Sequence, residues 1–443
     1  MRSRSRERTG RHPNGAPLPL ILTLLLSACG SGNAPIVTAS PTGQATAAAT
    51  PTLPLTLAVG QVLAASFSGA VITPAVRHLI VDDKVGTILL FRANFGNAAG
   101  LQRMTAALEA LGREAGLPAP LMVTIDEEGG TVDQLGDGIS LLPSEQSLGS
   151  TPPVSIRTRV AVMARGLRAE GVGLDLAPVA DLRTNPADAV IGSRSFGPDV
   201  VAAGPRVAAW VEGLHDGGVA ATLKHFPGLG GAAGDPHSEV VSDPVTPAHW
   251  LATSAASFSA GIGAGADAVM TTSLRVPNLD PTDRPALLLP VIVRLLRDTL
   301  HFRGVIVTDS LSMAAVGESM PRATVDAAAA GNDLMLMSSG SAVLEDQADA
   351  LLLDAVRTGR VAQSQIEASA QRVIALRTRY GGSVAPVSAS RPTARDTGQM
   401  TVLTPMIRSC QAPAAGRRRV HRFPPTPPAA SGRWCSAAVA SPG

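Results

Sequence analysis

Residues 201–231 read VAAGPRVAAWVEGLHDGGVAATLKHFPGLGG, and they hold one complete repeat of the pattern that decides the fold. An apolar stripe of helical period covers 201–216, and two glycines separate it from the short apolar run 219–223. Lys224 and His225 end that run, and a glycine-rich loop follows. A strand that is apolar throughout must be covered on both faces, as the strands of parallel α/β sheets are. The stretch therefore predicts a helix and a buried parallel strand with polar residues at its carboxyl end.

The same alternation extends over most of the chain. Apolar runs of strand length lie at 87–91, 121–125, 174–180, 219–223, 268–271, 304–308 and 334–337. Patterns of helical period lie between and after them, at 156–170, 201–216, 248–264, 290–300, 342–358 and 366–379. Such alternation indicates the α/β class. Seven or eight units between residues 59 and 380 fit a single TIM-like (β/α)8 barrel domain, and an open doubly wound sheet is the alternative.

The composition excludes several classes of protein. With 45% hydrophobic residues the chain is too apolar to be disordered, while its 16% charged residues and 44 glycines interrupt it too often for a multi-span membrane protein. The 37 basic and 35 acidic residues nearly balance, so no nucleic-acid partner is expected. Three cysteines exclude a disulfide-framed scaffold and a four-cysteine zinc site. No Walker A sequence or dinucleotide fingerprint is present, and no cofactor is predicted.

The N-terminal residues have the pattern of an export signal. Five arginines within 2–11 precede the apolar run 17–28, PLPLILTLLLSA, which is too short to cross a bilayer core of roughly 30 Å. The run ends in LSACG, which resembles the lipobox of bacterial lipoproteins, in which the cysteine is lipidated. The sequence thus predicts a signal peptide over 1–28, lipidation of Cys29, and an extracytoplasmic protein anchored to the cell membrane.

Two segments of low complexity flank the barrel region. Residues 29–58 are rich in Pro, Thr, Ala and Ser and carry no charge, which predicts a disordered tether. Residues 381–443 are rich in Pro, Ser, Ala and Arg and predict a disordered tail. Residues 59–380 are therefore expected to form a single catalytic domain.

Polar residues follow four of the apolar runs at the point where each run ends. They are Asp126, Asp181, the pair Lys224 and His225, and Asp309. An aspartate in such a position can simply cap the next helix. In a parallel barrel, however, the carboxyl ends of all strands meet at one face, where active sites are built. The sequence therefore predicts that these side chains converge on one mouth.

The loop after Lys224 and His225 offers a mobile proton donor. Residues 226–237 are rich in glycine and end in Asp235, Pro236 and His237. Histidine titrates near neutrality, and a neighbouring carboxylate fixes its tautomer and favours its charged form. A metal site built from the two histidines is the alternative, but their spacing matches no common zinc pattern, so no metal is predicted.

Six segments in order resemble motifs of glycoside hydrolase family 3, in its β-N-acetylglucosaminidase (β-N-acetylhexosaminidase) branch. They are IDEEGG (125–130), GLDLAPVADL (173–182), IGSRSFG (191–197), KHFPG (224–228), the pair Asp235 and His237, and GVIVTDSLSM (304–313). The resemblance implies a (β/α)8 barrel that removes terminal N-acetylglucosamine with retention of configuration, without a cofactor. The expected substrates are peptidoglycan fragments or chito-oligosaccharides, and the expected state is a monomer.

The resemblance also implies a role for each residue of the mouth. Asp309 is the expected nucleophile, His237 the acid and then base, and Asp235 its partner. The sugar hydroxyls are expected to be held by Asp126, Arg194, Lys224 and His225. Consecutive strand residues point to opposite faces, so the last two share a ligand only if the strand bends there.

Four positions depart from the family's pattern. Gln134 stands in place of an arginine, Leu229 and Ser273 in place of histidines, and Pro236 in place of a serine. The nucleophile and the acid/base residue remain, so the departures bear on aglycone preference and on the strength of the activity. Two alternatives stay open: a related glycoside phosphorylase, and a lipid-anchored sugar-binding protein with a weak site.

Overall fold

The computed structural model describes residues 53–136, 142–188 and 190–382, and within them one eight-stranded parallel sheet forms the core. The strands are β1 Leu63–Ala65, β2 Thr87–Leu89, β3 Met122–Ile125, β4 Val172–Asp175, β5 Ala220–Phe226, β6 Ala268–Thr271, β7 Val305–Thr308 and β8 Met335–Leu336. Neighbours along the sheet run in the order β7-β6-β5-β4-β3-β2-β1-β8. Each strand from β1 to β7 thus lies beside its successor in the chain.

The two ends of this sheet meet. β8 pairs with β1 through Leu63 and Met335 in register, and a parallel bridge joins Val307 of β7 to Leu334. At that seam the Thr308 backbone N–H donates to the Leu334 carbonyl at 3.0 Å. The sheet is therefore a nearly closed (β/α)8 barrel, as the sequence predicted, and the open doubly wound alternative is wrong.

Helices surround the barrel. They are α1 Leu55–Gln61, α2 Pro74–Val81, α3 Arg92–Phe95, α4 Ala98–Glu114, α5 Pro153–Ala169, α6 Val200–Asp216, α7 Pro247–Ala252, α8 Ser254–Gly263, α9 Pro290–Arg294, α10 Met320–Ala330, α11 Ala342–Arg357 and α12 Gln363–Tyr380. A π-helical turn, Leu295–Thr299, continues α9. Short 3-10 turns lie at Gly192–Arg194, Ala286–Leu288 and Ala314–Val316.

Several boundaries differ from the sequence prediction. The strand expected at 174–180 is β4, Val172–Asp175, and the strand expected at 219–223 continues to Phe226 in β5. The helix expected over 248–264 is divided into α7 and α8, because Thr253 has φ −121° and ψ −94° and leaves the helical region. The tether was expected to reach residue 58, whereas α1 begins at Leu55 and buries Ala58 completely. Residues 55–58 lack charge like the tether, but their apolar side chains pack on the barrel.

The barrel interior is filled from all eight strands, by side chains such as Leu89, Leu174 and Met270. Leu376 and Tyr380 of α12 join the same cluster beside the first residues of the strands. This packing covers the amino-terminal end of the barrel. The polar residues that follow the strands consequently lie at the opposite end, at the mouth.

Several predictions fall outside the described residues: the signal peptide, Cys29, the tether up to residue 52 and the tail from residue 383. Within the described residues, no helix combines the length and the apolar character that a bilayer crossing requires.

Candidate active site at the barrel mouth

Lys224 lies at the centre of the mouth and bridges two carboxylates. It is 1% exposed near the end of β5, and its Nζ lies 2.6 Å from Asp126 Oδ1 and 2.6 Å from Glu128 Oε1. Burial alone would lower the pKa of Lys224, but the two carboxylates outweigh it and hold that pKa above its usual range. The mouth therefore contains a permanently charged ammonium that two carboxylates hold in a fixed position.

Arg194 supplies a second cation. From the 3-10 turn before α6, its Nε and Nη2 donate to the two oxygens of Glu128 at 2.7 and 2.8 Å, as a bidentate fork. Burial would raise the pKa of Glu128, but Lys224 and Arg194 lower it to about 2. Glu128 thus remains ionised and fixes the position of both cations.

Asp181 orients His225 and the loop that follows. Asp181 Oδ2 lies 2.6 Å from His225 Nδ1 and accepts the His225 backbone N–H at 3.0 Å. Its Oδ1 accepts the Leu229 backbone N–H at 2.6 Å. His225 Nε2 lies 3.3 Å from Arg194 Nη2, which can only donate. In the neutral ring the proton therefore belongs on Nδ1, directed at Asp181.

The side chains of Lys224 and His225 both reach the group of side chains around Glu128. The pairing of β5 with β6 shifts register between Leu223 and Phe226, and the peptide bond between Lys224 and His225 is cis. Lys224 contacts Glu128, and His225 contacts Arg194, which holds the same Glu128. β5 thus departs from a regular strand at the point where the sequence required a bend.

Asp235 and His237 form a pair at the rim. Asp235 Oδ1 lies 2.7 Å from His237 Nδ1 and accepts the His237 backbone N–H at 2.9 Å. Burial would raise the pKa of Asp235, but these hydrogen bonds hold it below its usual range. The His237 side chain is 58% exposed, so its Nε2 is open to the mouth or to solvent.

The same loop contacts the segment that follows Asp309. The Ala314 backbone N–H donates to the His237 carbonyl at 3.4 Å, and the Ala315 N–H donates to the Pro236 carbonyl at 3.2 Å. Both donors belong to the 3-10 turn after β7. The structure therefore brings the titratable pair and the strand end of Asp309 to one side of the mouth.

Asp309 directly follows β7 and is held on three sides. Its backbone N–H donates to the Thr271 carbonyl at 2.7 Å. Its Oδ1 accepts the Ser310 N–H at 2.8 Å, and its Oδ2 accepts the Thr272 hydroxyl at 3.3 Å. With 8% of the residue exposed, the carboxylate has a fixed orientation and a small accessible surface.

The positions that depart from the family's pattern bring no charge to the mouth. Gln134 Oε1 accepts the Arg92 backbone N–H at 3.0 Å, and Ser273 Oγ lies 3.5 Å from Met313 Sδ. Leu229 and Pro236 are buried. The cations of the mouth are therefore those carried by the strand end of β5 and by the turn before α6.

A cluster with the geometry of a metal site lies elsewhere. Ligand atoms of His78, Asp83 and Asp346, beside α2 and α11, lie within 4.8 Å of one another. His225 and His237 belong to no such group among the described residues. Each has its Nδ1 paired with an aspartate instead.

Glu128 and Thr272 are the contacts of the mouth that sequence reasoning missed. Glu128 is the third of three consecutive acidic residues, and the pattern alone does not show which of them turns inward. Thr272 follows a strand but is uncharged, so nothing marked it out. A rigid carboxylate, an exposed imidazole and fixed cations on loops of one barrel mouth are suited to nucleophilic displacement with proton transfer at a polyhydroxy ligand.

Comparison with known proteins identifies the family. Residues 55–376 match the model of the glycosyl hydrolase family 3 N-terminal domain. A β-hexosaminidase of Stenotrophomonas maltophilia is 37% identical over 257 residues, which are 56% of this chain and 74% of the relative.

Solved structures agree with this match. A family 3 β-N-acetylglucosaminidase from a Paenibacillus species superposes with a TM-score of 0.73 and 33% identity, covering 78% of this chain and 66% of its own. A β-N-acetylhexosaminidase of Beutenbergia cavernae superposes with a TM-score of 0.69 and 30% identity, covering 73% of this chain and 98% of its own. The chain belongs to glycosyl hydrolase family 3 and is a glycoside hydrolase.

Proposed function

We propose that this protein is an exo-acting, retaining β-N-acetylhexosaminidase that removes terminal N-acetylglucosamine from peptidoglycan fragments or chito-oligosaccharides. The names of its relatives and structural neighbours support the sugar. The observation that carries the reaction is the contact between the loop of Asp235 and His237 and the turn that follows Asp309. That contact supports the assignment of Asp309 as nucleophile and His237 as acid.

In the first step, a carboxylate oxygen of Asp309 attacks the anomeric carbon. The bond from that carbon to the leaving oxygen breaks, and its electron pair stays on the leaving oxygen, which takes a proton from His237 Nε2. Asp235 accepts from Nδ1 and stabilises the imidazolium before the proton is given. The products are a glycosyl ester of Asp309 and the free aglycone.

In the second step, water resolves the ester. His237, now neutral, takes a proton from the attacking water at Nε2, and the Asp309 carboxylate leaves the anomeric carbon. Two displacements at one carbon restore the original configuration, which is the retaining outcome. The exposure of the His237 ring lets one residue serve as acid and then as base.

The cations around Lys224 bind the sugar in this proposal. An ammonium has three donors, and the two contacts to Asp126 and Glu128 leave one for a hydroxyl. Asp126, with 23% of its side chain exposed, can accept from a second hydroxyl. Arg194 and His225 complete the set. These groups are fixed before the sugar arrives, which lowers the entropic cost of positioning it.

Turnover of a fluorogenic N-acetyl-β-glucosaminide tests the proposal. We expect the wild type to release the fluorophore and Asp309→Ala to lose the activity. A 5-fluoro donor of the same sugar should label the peptide that contains Asp309, as seen by mass spectrometry. Label on another peptide, or equal rates for the two proteins, contradicts the assignment, and a sugar 1-phosphate formed on addition of phosphate indicates a phosphorylase instead.

We also propose that the protein acts outside the cytoplasm, anchored through a lipid on Cys29. The basic, apolar and small residues that precede this cysteine support the proposal. Cells fed a clickable fatty acid should label the wild-type protein and not Cys29→Ser. Equal labelling of the two, or recovery of the wild type in the soluble cytoplasmic fraction, contradicts it.

A further inference from the structure

Asp309 is held by donors that carry no charge. Its Oδ1 accepts a backbone N–H, and its Oδ2 accepts the Thr272 hydroxyl. In the described part of the chain no lysine, arginine or histidine forms an ion pair with it. Lys224 and Arg194, the cations of the mouth, are engaged with Asp126 and Glu128. The hydroxyl of Thr272 is therefore the side-chain donor on which this carboxylate depends.

Thr272 is itself rigidly placed. It is fully buried, its backbone N–H donates to the Phe226 carbonyl at 2.9 Å, and its carbonyl accepts the Leu287 N–H at 2.9 Å. The residue before it, Thr271, accepts the backbone N–H of Asp309. Two consecutive residues at the end of β6 thus hold Asp309, one by its backbone and the other by its carboxylate.

We propose that Thr272 is a positioning residue for the nucleophile Asp309, an inference that rests on the proposed function. Its hydroxyl fixes the rotation of the carboxylate, so that one oxygen faces the anomeric carbon when the sugar binds. Thr272 touches neither the sugar nor the aglycone in this scheme.

The test compares Thr272→Val with Thr272→Ser. Valine keeps the shape of threonine but has no donor, whereas serine keeps the donor. For Thr272→Val we expect kcat to fall about tenfold with KM unchanged, the size expected for one hydrogen bond to a charged group. Thr272→Ser should restore kcat.

Thr222→Val is the matched control. Thr222 is a fully buried residue of β5, and its hydroxyl has no hydrogen-bond partner among the described residues. The same substitution there should leave kcat unchanged. This control separates loss of a buried hydroxyl from loss of the contact with Asp309.

Two results overturn the proposal: a Thr272→Val enzyme with wild-type kcat, or a Thr272→Ser enzyme whose kcat falls as far as that of Thr272→Val. Thermal unfolding of each variant shows whether it folds, and Thr272→Ser, the smaller change, decides the matter if the valine variant does not. A wild type that fails to turn over the fluorogenic sugar rejects the proposed function itself, so the two failures are distinguishable.

Discussion

Glu128 is a buried carboxylate clamped between two cations, and it fixes the array that would bind sugar. Its oxygens receive Lys224 from one side and the fork of Arg194 from the other. Because all three side chains are largely withdrawn from water, removing one charge leaves the others without compensation.

Glu128→Gln keeps the shape and removes the charge. We expect it to lower the free energy of unfolding by about 3 kcal/mol near neutral pH, since it leaves a buried ion cluster with excess positive charge. The pKa of Glu128 is depressed to about 2 from 4.5, so its contribution is present above pH 4.5 and is lost as the pH falls towards 2. Urea unfolding from pH 7 to pH 3 measures the difference between the two proteins, which should shrink on acidification.

Glu212→Gln is the control for this change. Glu212 pairs with Arg157 at the surface, with both side chains more than two-fifths exposed. Such a pair contributes about 0–1 kcal/mol. A loss for Glu128→Gln no larger than for Glu212→Gln contradicts the role of Glu128.

The neighbouring Glu127 has the opposite pH dependence. Its Oε2 accepts two backbone N–H groups, yet burial raises its pKa from 4.5 to about 8. At a pH between 4.5 and 8, Glu127 must therefore take up a proton on folding. Its contribution to the free energy of unfolding is full below pH 4.5 and is lost as the pH rises through 8.

Glu127→Gln, which imitates the protonated form, should therefore stabilise the protein increasingly from pH 5 to pH 8. Melting temperatures across that range measure the effect. A gain that does not grow with pH contradicts the prediction, and so does an equal gain in the control variant Glu367→Gln.

Charge and position made part of the site visible in the sequence. Asp126 and Asp309 each follow a strand, Lys224 and His225 lie near the end of β5, and parallel strands deliver their ends to one face. Thr272 also follows a strand, but an uncharged hydroxyl in that place has many structural roles. Its contact with Asp309 depends on which strands become neighbours in space, and the local pattern of residues does not contain that information.

At the scale of elements, the loop after β5 carries the candidate acid, and its path depends on contact with the loop after β4. Gly230 accepts the backbone N–H groups of Thr184 and Asn185. A Cβ at Gly230 would lie 2.4 Å from the carbonyl oxygen of Leu182, which belongs to the backbone and cannot turn away. A side chain at this position therefore requires the two loops to separate.

Gly230→Ala should move Asp235 and His237 away from the turn after β7 and lower kcat by a factor of about 100, the loss that a displacement near 1 Å can cause. Steady-state kinetics with the fluorogenic sugar measures this, and circular dichroism should show an intact barrel. Gly263→Ala is the matched control, because a Cβ there meets nothing within 4 Å. Wild-type kcat in Gly230→Ala, or an equal loss in Gly263→Ala, contradicts the argument.

Element prediction failed where two elements share one apolar run. Residues 53–65, LPLTLAVGQVLAA, form α1 and then β1 with a single intervening residue, and only Gly60 and Gln61 interrupt the apolar residues at the transition. β1 has three residues, too few for periodicity to show. The other seven strands are bounded by glycine, proline or charged residues within a few positions. The runs expected there contain five of them and overlap β4 and β5 in part.

At the scale of the whole molecule, α12 holds the barrel together at its amino-terminal end. Arg377 of α12 is completely buried and donates to the carbonyl groups of Ala119 and Pro120, before β3, and to the side chain of Gln61, at the end of α1. Gly86, before β2, leaves the room for its guanidinium, since a Cβ there would lie 1.8 Å from Arg377 Nη1. One side chain thus joins α12 to the segments that lead into three strands.

Arg377→Ala should therefore destabilise the whole barrel. The change leaves several buried acceptors without a donor and opens a cavity, and we expect a loss of about 3–5 kcal/mol in the free energy of unfolding. Arg377 is fully buried, so solvent cannot replace its hydrogen bonds, and the same burial lowers its pKa to about 9. Arg377→Met refills most of the volume without donors, so it separates the contribution of the hydrogen bonds from that of the packing. Arg357→Ala, at an exposed position of α11, is the control and should change the free energy of unfolding by less than about 0.5 kcal/mol.

Because Arg377 lies at the end of the barrel opposite Asp309, the residual folded enzyme should keep its KM. A mild loss confined to α12, seen as early exchange of its amides with the strands still protected, contradicts a role in holding the barrel.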